Sequence, residues 1–540
     1  MRNAIDLVII AVYLAFIVSL GVWVAVRGRR RSHDSARNYF LASGRLTWPV
    51  IGLALFSTNI STIHLVAFAQ QGYLNGLAFG NFEWMAPFTL IILSLFFVPF
   101  YIRAKVATLP DFLEQRYNGT CRDILAVISV ASAIFIHIGF SLYAGAVVLE
   151  GLFGINIYVS IIGVALLTGL YTIIGGLLAV VLTESIQTII LIIGAICVTA
   201  FGWYHVGGWS GLAASVDPVQ LTMLRPQGDA SGLPWYSVFL GYPVIGLWYW
   251  CADQTIVQRV LGAKDENHAR VGPLFAGFIK ILPVFIFVLP GLICLGLVNQ
   301  QQFGGERPER TADAYSFMIT HLLPVGLRGV VAAALLAALM STVSGALNSV
   351  ATLFSYDIYK RWKPSASDRQ LVIVGRIVTV IAMAAAILWS PFLEHFESIF
   401  KGLNAMICYI APPITAVFVW GIFCKRASAR AAQITLYAGS TLGLLAFLVD
   451  WFDNDPGMLT WNGMSISFMM MAFCLFVTCS FILLLVSLIK PQVHTEQSAA
   501  LVWDHPLASL RDPGWKGLAN YRVLAIVLFL SMVTLYVIFG

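Results

Sequence analysis

Apolar runs of about twenty residues recur along nearly the whole chain, and each is long enough to cross the ~30 Å hydrocarbon core of a bilayer as a helix. Against that template the sequence reads as about fourteen spans. No other feature narrows the fold as much. In lipid every backbone amide and carbonyl needs an internal partner, so only helices or closed barrels cross. Runs of this length suit helices. Composition agrees: 59% of the 540 residues are hydrophobic and 11% are charged, where soluble domains run at about half and about a quarter. Little sequence remains for a soluble domain to hold a catalytic site, so the expectation is an all-α polytopic membrane protein that is not an enzyme.

The net charge of +6 does not indicate a nucleic-acid partner, because the basic residues sit in short loops. The first apolar run, Ile5 to Val26, is followed by Arg27-Gly28-Arg29-Arg30-Arg31 and shows no obvious small-residue cleavage site. That pattern predicts a retained span with the amino terminus outside and the arginines in the cytoplasm. Alternating from there places Arg37 and Arg45, Arg103 with Lys105 and Arg116, Lys264 with Arg270, Lys360 with Arg361, Lys425 with Arg426, and Arg511 with Lys516 inside. The predicted outer loops near 206–235, 299–320 and 452–462 are poor in Lys and Arg, with Arg225, Arg307 and Arg310 as exceptions. The carboxy terminus is then also outside. The expected setting is the plasma membrane, with the lipid bilayer as partner. The eight cysteines lie in or beside predicted spans and read as free thiols.

The chain divides into a leading span and basic loop (1–46), a first block of five spans (47–210), a second block of five (236–425) and three peripheral spans (431–540). An odd number of spans per block gives the blocks opposite orientation. Both open on interrupted spans. The first breaks at Ser57-Thr58-Asn59-Ile60-Ser61, ahead of His64; the second is expected to break at Gly241-Tyr242-Pro243-Val244-Ile245-Gly246. Interrupted helices at matching positions of inverted halves point to a site at the bilayer midplane.

The polar residues at span depth suit such a site. Asn59, His64 and Glu83 are costly in hydrocarbon unless they face protein or a water-filled cavity. Glu83 could also be interfacial. Lys280 lies among Phe278, Ile279, Ile281 and Leu282, too deep to snorkel easily, so it should face a cavity and a partner. Glu83 and Lys280 would make a charge pair around a neutral, hydroxyl-rich ligand. Trp248-Tyr249-Trp250 could supply the aromatic face that a sugar's C–H surface needs, or form an interfacial belt. Na⁺ needs several oxygens, which an unwound backbone near Ser57–Ile60 and the hydroxyls of Ser341, Thr342 and Ser344 could offer. Those hydroxyls could equally join packed helices. His137, Glu184 and Asp253 read as structural hydrogen-bonding or helix-end residues. No phosphate-binding loop or hydrolase triad is present in the sequence.

Several stretches carry a family resemblance: Asn38-Tyr39-Phe40-Leu41-Ala42, Asn59-Ile60-Ser61 with Glu83-Trp84, Tyr171-Thr172-Ile173-Ile174-Gly175-Gly176-Leu177, Leu247-Trp248-Tyr249-Trp250-Cys251-Ala252-Asp253-Gln254, Gln258-Arg259 and Pro412-Pro413. With them the chain resembles the sodium/solute symporter family, and within it the sodium/glucose cotransporter branch, over almost its entire length. The resemblance implies a leucine-transporter-type 5+5 inverted repeat with broken first and sixth core helices. It implies Na⁺-coupled symport of a hexose-like monosaccharide by alternating access. Na⁺ would meet the carbonyls of Ser57, Ile60 and Ala338 and the hydroxyls of Ser341 and Thr342. The sugar would meet Asn59, His64, Glu83, Tyr249, Trp250, Lys280 and Asn404. Phe68, Phe82 and Phe400 would form the outer gate, and Tyr249 the inner one. A second Na⁺ site could involve Glu184 and Ser344.

The chain departs from the branch at Asn404, where Gln is usual, at Gly246, where Asn or Thr is common, and at Glu184, where some members have Asp. Gly345 lacks the hydroxyl a second ion site would use. One coupling Na⁺ is therefore expected ahead of two. Other readings keep the fold and change the solute to a cyclitol, a sugar acid or another small polar metabolite, or replace transport by solute-gated sensing. The sequence is silent on oligomeric state.

Overall fold

The computed structural model describes residues 3–31, 36–395, 399–452, 458–461, 464–492 and 494–540. Nearly all of them are helical. The sheet among them is a small antiparallel hairpin, Met458–Trp461 against Met464–Ser467. Eleven helical runs among the described residues are long and apolar enough to cross a membrane. Their burial grades from centre to edge. The apolar stretch of Leu327–Trp362 is 94% buried, whereas those of Ala4–Val24 and Tyr521–Phe539 are 22% and 17% buried and present their apolar sides outward, as lipid-facing helices do.

The first expected break is where the polar run predicted it. Helix Trp48–Asn59 ends at Ile60 (φ −79°, ψ 104°), Ser61 is extended, and a new helix runs Thr62–Asn75. The restart has a local cause: His64 Nδ1 accepts the Ser61 amide at 3.2 Å, meeting one of the donors that a helix start leaves open. The two halves pack along Glu266–Ile279 and Leu289–Asn299 respectively.

The second break is not at Gly241–Gly246. Helix Trp235–Leu247 runs straight through Pro243, widens into a π turn over Trp248–Ala252, and stops at Asp253 (φ −87°, ψ 122°). One missing amide at Pro243 costs the helix one hydrogen bond, which the neighbouring geometry absorbs. A carboxylate that can cap a fresh N-terminus decides where the helix restarts. Asp253 accepts the Thr255 amide at 2.6 Å and opens Gln254–Leu261.

The long run Ile157–Val206 bends at Gly176, whose backbone (φ 63°, ψ −166°) is outside the range of residues with a Cβ. A Cβ there would come 2.5 Å from the Tyr39 carbonyl. The Tyr39 hydroxyl in turn donates to the Ile173 carbonyl at 3.0 Å. Two motifs far apart in sequence are thus one joint.

All eight cysteines are free. The polar segment near 490–520 is folded onto the ends of the helices. Arg116 is its main fastening: it donates to the carbonyls of Gly421 (2.6 Å) and Cys424 (3.0 Å), to Ser498 Oγ (3.1 Å), and lies 3.3 Å from His494 Nδ1. Trp503 Nε1 adds a bond to the Phe96 carbonyl at 3.1 Å.

Candidate functional site

The broken end of Trp48–Asn59 faces the buried helix Leu327–Leu353. Ser341 Oγ lies 3.0 Å from the Ser57 carbonyl and 2.9 Å from that of Ala338. Thr342 Oγ1 lies 3.2 Å from the Thr58 carbonyl and 3.3 Å from that of Ala338. Ile60 is at the break itself. Ser57 Oγ is buried with no hydrogen-bond partner among protein groups. These neutral oxygens gather at the C-terminal, electronegative end of a half-helix, which is chemistry suited to a small hard cation. The resemblance names the carbonyls of Ser57, Ile60 and Ala338 for the ion; it does not name that of Thr58, which the structure brings to Thr342.

Beside that cluster is a cavity whose wall includes Thr342 and all seven residues expected to meet solute: Asn59, His64, Glu83, Tyr249, Trp250, Lys280 and Asn404. Glu83 and Lys280 are buried and ion-paired. The Lys280 ammonium also donates to Asn59 Oδ1, and Asn59 Nδ2 donates to the Tyr249 hydroxyl at 3.1 Å. One polar chain, Glu83–Lys280–Asn59–Tyr249, therefore ties four helical segments together. Lys280 caps the end of Glu266–Ile279, where the helix field favours a cation. Glu83 sits on the short helix Asn81–Trp84, anchored by Asn81 Nδ2 to the carbonyls of Ala78 (2.8 Å) and Met223 (2.7 Å).

Phe68 and Phe82 line the same cavity. Phe82 contacts Tyr242 edge-on at 6.2 Å and Phe468 at 6.4 Å between ring centroids. The side chain of Phe400 lies outside the described residues. Gly246 is also on the wall; a Cβ there would come 2.6 Å from the Tyr242 ring and 2.9 Å from Thr89 Cγ2, so a larger polar residue has no room.

Glu184 and Ser344 have other partners. Arg259 Nη2 donates to Glu184 Oε1 at 2.6 Å, with both side chains fully buried. Ser344 Oγ donates to the Ser341 carbonyl at 3.0 Å. A Cβ on Gly345 would come 2.2 Å from the same Arg259 nitrogen, so the missing side chain leaves space that the guanidinium uses.

Sequence reasoning missed Tyr242, Ser141 and Ser61 on the cavity wall, and gave His137 a structural role only. His137 has both positions: its Nε2 is 3.0 Å from Asp253 Oδ2, and its ring borders the cavity. A polar residue inside an apolar run was the available signal for His137. Tyr242 gave none, because tyrosine is common in spans.

The sodium:solute symporter family model matches residues 39–439. The chain belongs to the sodium:solute symporter family. Among relatives, the symporter is 35% identical to sodium/myo-inositol cotransporter 2 of Sus scrofa over 480 residues, covering 84% of this chain and 71% of that one. It is also 35% identical to sodium/glucose cotransporter 4 of Mus musculus, with 84% and 70% covered. Its identity to sodium/glucose cotransporter 1 of Ovis aries is 31%, with 93% and 81% covered. Among solved structures, the substrate-bound outward-open state of a Na⁺-coupled sialic acid symporter superposes with a TM-score of 0.78 at 22% identity, covering 91% of this chain and 99% of that one. The nucleobase-cation-symport-1 transporter Mhp1, in a closed conformation with bromovinylhydantoin bound, follows at 0.53 and 13%, with 87% and 98% covered. The symporter therefore has the fold expected of it, couples to Na⁺, and is not an enzyme.

Proposed function

We propose that the symporter carries a neutral hexose-like monosaccharide together with Na⁺ by alternating access. One observation carries this reading: a polar chain that is internally charge-neutral, Glu83–Lys280–Asn59–Tyr249, forms the wall of a cavity that also includes His64, Asn404 and the Trp250 ring. Such a wall offers donors and acceptors to hydroxyls without demanding a charge on the ligand. Because Lys280 is already engaged by a carboxylate and an amide, a sugar acid is the weaker candidate. A cyclitol is the second reading, supported by the equal identity to an inositol and a glucose carrier.

In this reading Na⁺ sits between the carbonyls of Ser57, Ile60 and Ala338 and the hydroxyls of Ser341 and Thr342. It holds the broken helix against Leu327–Leu353. Thr342 belongs to both the ion cluster and the solute cavity, so ordering one orders the other. Each ligand then favours the same conformation, which is all that coupling requires. The membrane potential contributes ~2.3 kcal/mol per charge per 100 mV, before any concentration term. Phe68, Phe82 and Phe400 close the outer side and Tyr249 the inner. Glu184, already neutralised by Arg259, makes a second Na⁺ site with Ser344 unnecessary, and one Na⁺ per solute follows. Counting each broken helix as one crossing and the run bent at Gly176 as two, the described residues make fourteen spans: a leading span (1–46), repeats at 47–210 and 236–425, and peripheral helices at 431–540. Both termini face outward from the plasma membrane.

Tracer uptake into proteoliposomes, with and without an inward Na⁺ gradient, tests this with glucose, galactose, myo-inositol and glucuronate. Gradient-driven accumulation of a hexose is expected. Accumulation of inositol alone selects the second reading, and solute-independent Na⁺ flux without tracer uptake defeats both.

A further inference from the structure

A second cavity, of about 410 Å³, opens on the apolar flank between the leading helix, the first half of Ile157–Val206 and the back of Leu327–Leu353. Its walls are Leu7, Ile10, Leu336 and Met340, with Gly163 and Ser160 facing them. Ser160 Oγ is buried and has no hydrogen-bond partner. Other buried hydroxyls, Ser132 and Thr168 among them, also lack a partner, while Thr172, Thr183, Thr188 and Thr199 each donate to the carbonyl four residues earlier; on the wall of this cavity it is Ser160 that is left with an unmet hydroxyl. Leu7 and Val159, which line it, are about half exposed or more, so molecules reach the cavity from the bilayer.

We propose that this cavity binds a membrane amphiphile whose hydrocarbon body lies along Leu336 and Met340 and whose single hydroxyl pairs with Ser160, and that its occupancy tightens the Na⁺ site. The coupling half rests on the ion-site reading above. Met340 directly precedes Ser341, and its carbonyl accepts the Tyr171 hydroxyl at 3.3 Å, so the turn that carries the ion ligands is the floor of the cavity. Filling the floor restrains that turn, and a site ordered in advance binds its ion at lower concentration.

The probe is a hexadecanol analogue bearing a photoreactive diazirine, applied to the full-length symporter in vesicles. Labelling is expected to concentrate on the segments around 160–163 and 336–340. Gly163→Phe should abolish it, because a side chain at 163 enters open space: a Cβ there meets nothing within 4 Å. Gly163→Leu makes the same test with a smaller fill should the first variant fail to fold. Ser160→Ala should weaken labelling by about fivefold, the equivalent of one ordinary hydrogen bond. Unlabelled hexadecanol should lower the half-activating Na⁺ concentration for uptake by about fivefold, the low end of usual inter-site couplings. Either filled variant should show the lowered value without the alcohol and not respond to it. Labelling spread evenly over the lipid-facing helices, or unchanged in the filled variants, overturns the site. Localised labelling with no shift in Na⁺ activation overturns the coupling. Uptake by the untreated protein that ignores Na⁺ would instead defeat the ion-site reading, which labelling does not depend on.

Discussion

Lys280→Met and Glu83→Gln, made singly and together, measure how far the solute wall is also a structural element. Lys280 and Glu83 are 1% and 2% exposed, so neither charge has water to fall back on. Lys280→Met strands a buried carboxylate, at about 3–5 kcal/mol. It also leaves Asn59 Oδ1 without its donor, a further cost of about 1–3 kcal/mol for a buried acceptor. Glu83→Gln keeps an acceptor for the ammonium and keeps the Asn59 bond. Its cost is the difference between a charge-assisted and a neutral hydrogen bond, about 1–2 kcal/mol, with an added penalty for the uncompensated ammonium. The double variant removes both charges and leaves two amides able to bond each other. It should recover about 3 kcal/mol relative to the sum of the singles, a factor of roughly 150 in the folding equilibrium. Thermal unfolding in detergent should therefore rank wild type above Glu83→Gln, then the double variant, then Lys280→Met. Solute binding should be lost in all three, because the wall itself has changed. A double variant that is as unstable as the two singles summed would show that the groups do not act as a pair, and the reasoning about the wall would fail with it.

Ser341→Ala and Thr342→Ala should each raise the half-activating Na⁺ concentration in uptake assays by about five- to tenfold, the worth of one oxygen ligand counted as a hydrogen bond; unchanged values in both would remove these hydroxyls from the ion site. Gly176→Ala should lower stability by about 1–3 kcal/mol through its backbone angles alone, and by more through the approach to the Tyr39 carbonyl; a melting temperature equal to wild type would mean the bend is dispensable. His494 should make the 490–520 segment sensitive to acid. Burial and the nearby Arg116 hold its imidazole below its ordinary range, so the neutral form is the one that folds. As pH falls through the unfolded value, near 6.5, the unfolded state gains protons that the folded state resists, and stability is lost. Proteolysis within 490–520 should accelerate between pH 7.5 and 5.5, and His494→Gln should abolish that dependence; equal rates at both pH values would refute it.

The architecture was legible before any coordinates because hydrocarbon is a severe solvent. It demands apolar runs of helical length and makes each exception conspicuous. Ser57–His64, Glu83 and Lys280 stood out on that ground alone, and they meet at one cavity. The exception that misled was Gly241–Gly246, where glycine and proline suggested a break that the helix in fact tolerates. The true break, at Asp253, follows from cap chemistry that a carboxylate near a span end could also have supplied at the interface.

By itself, the order of residues determined that this chain is helical, crosses the membrane many times, and holds polar groups at depth that need partners. Only the tertiary structure decided which partners: Asn59 for Lys280 across 221 residues of sequence, Arg259 for Glu184 across 75, and Tyr39 for the bend at Gly176. In lipid, solvation penalises an unpaired group whatever its neighbours in sequence. The identity of the group that relieves the penalty depends on which helix faces come together, and sequence distance carries no information about that.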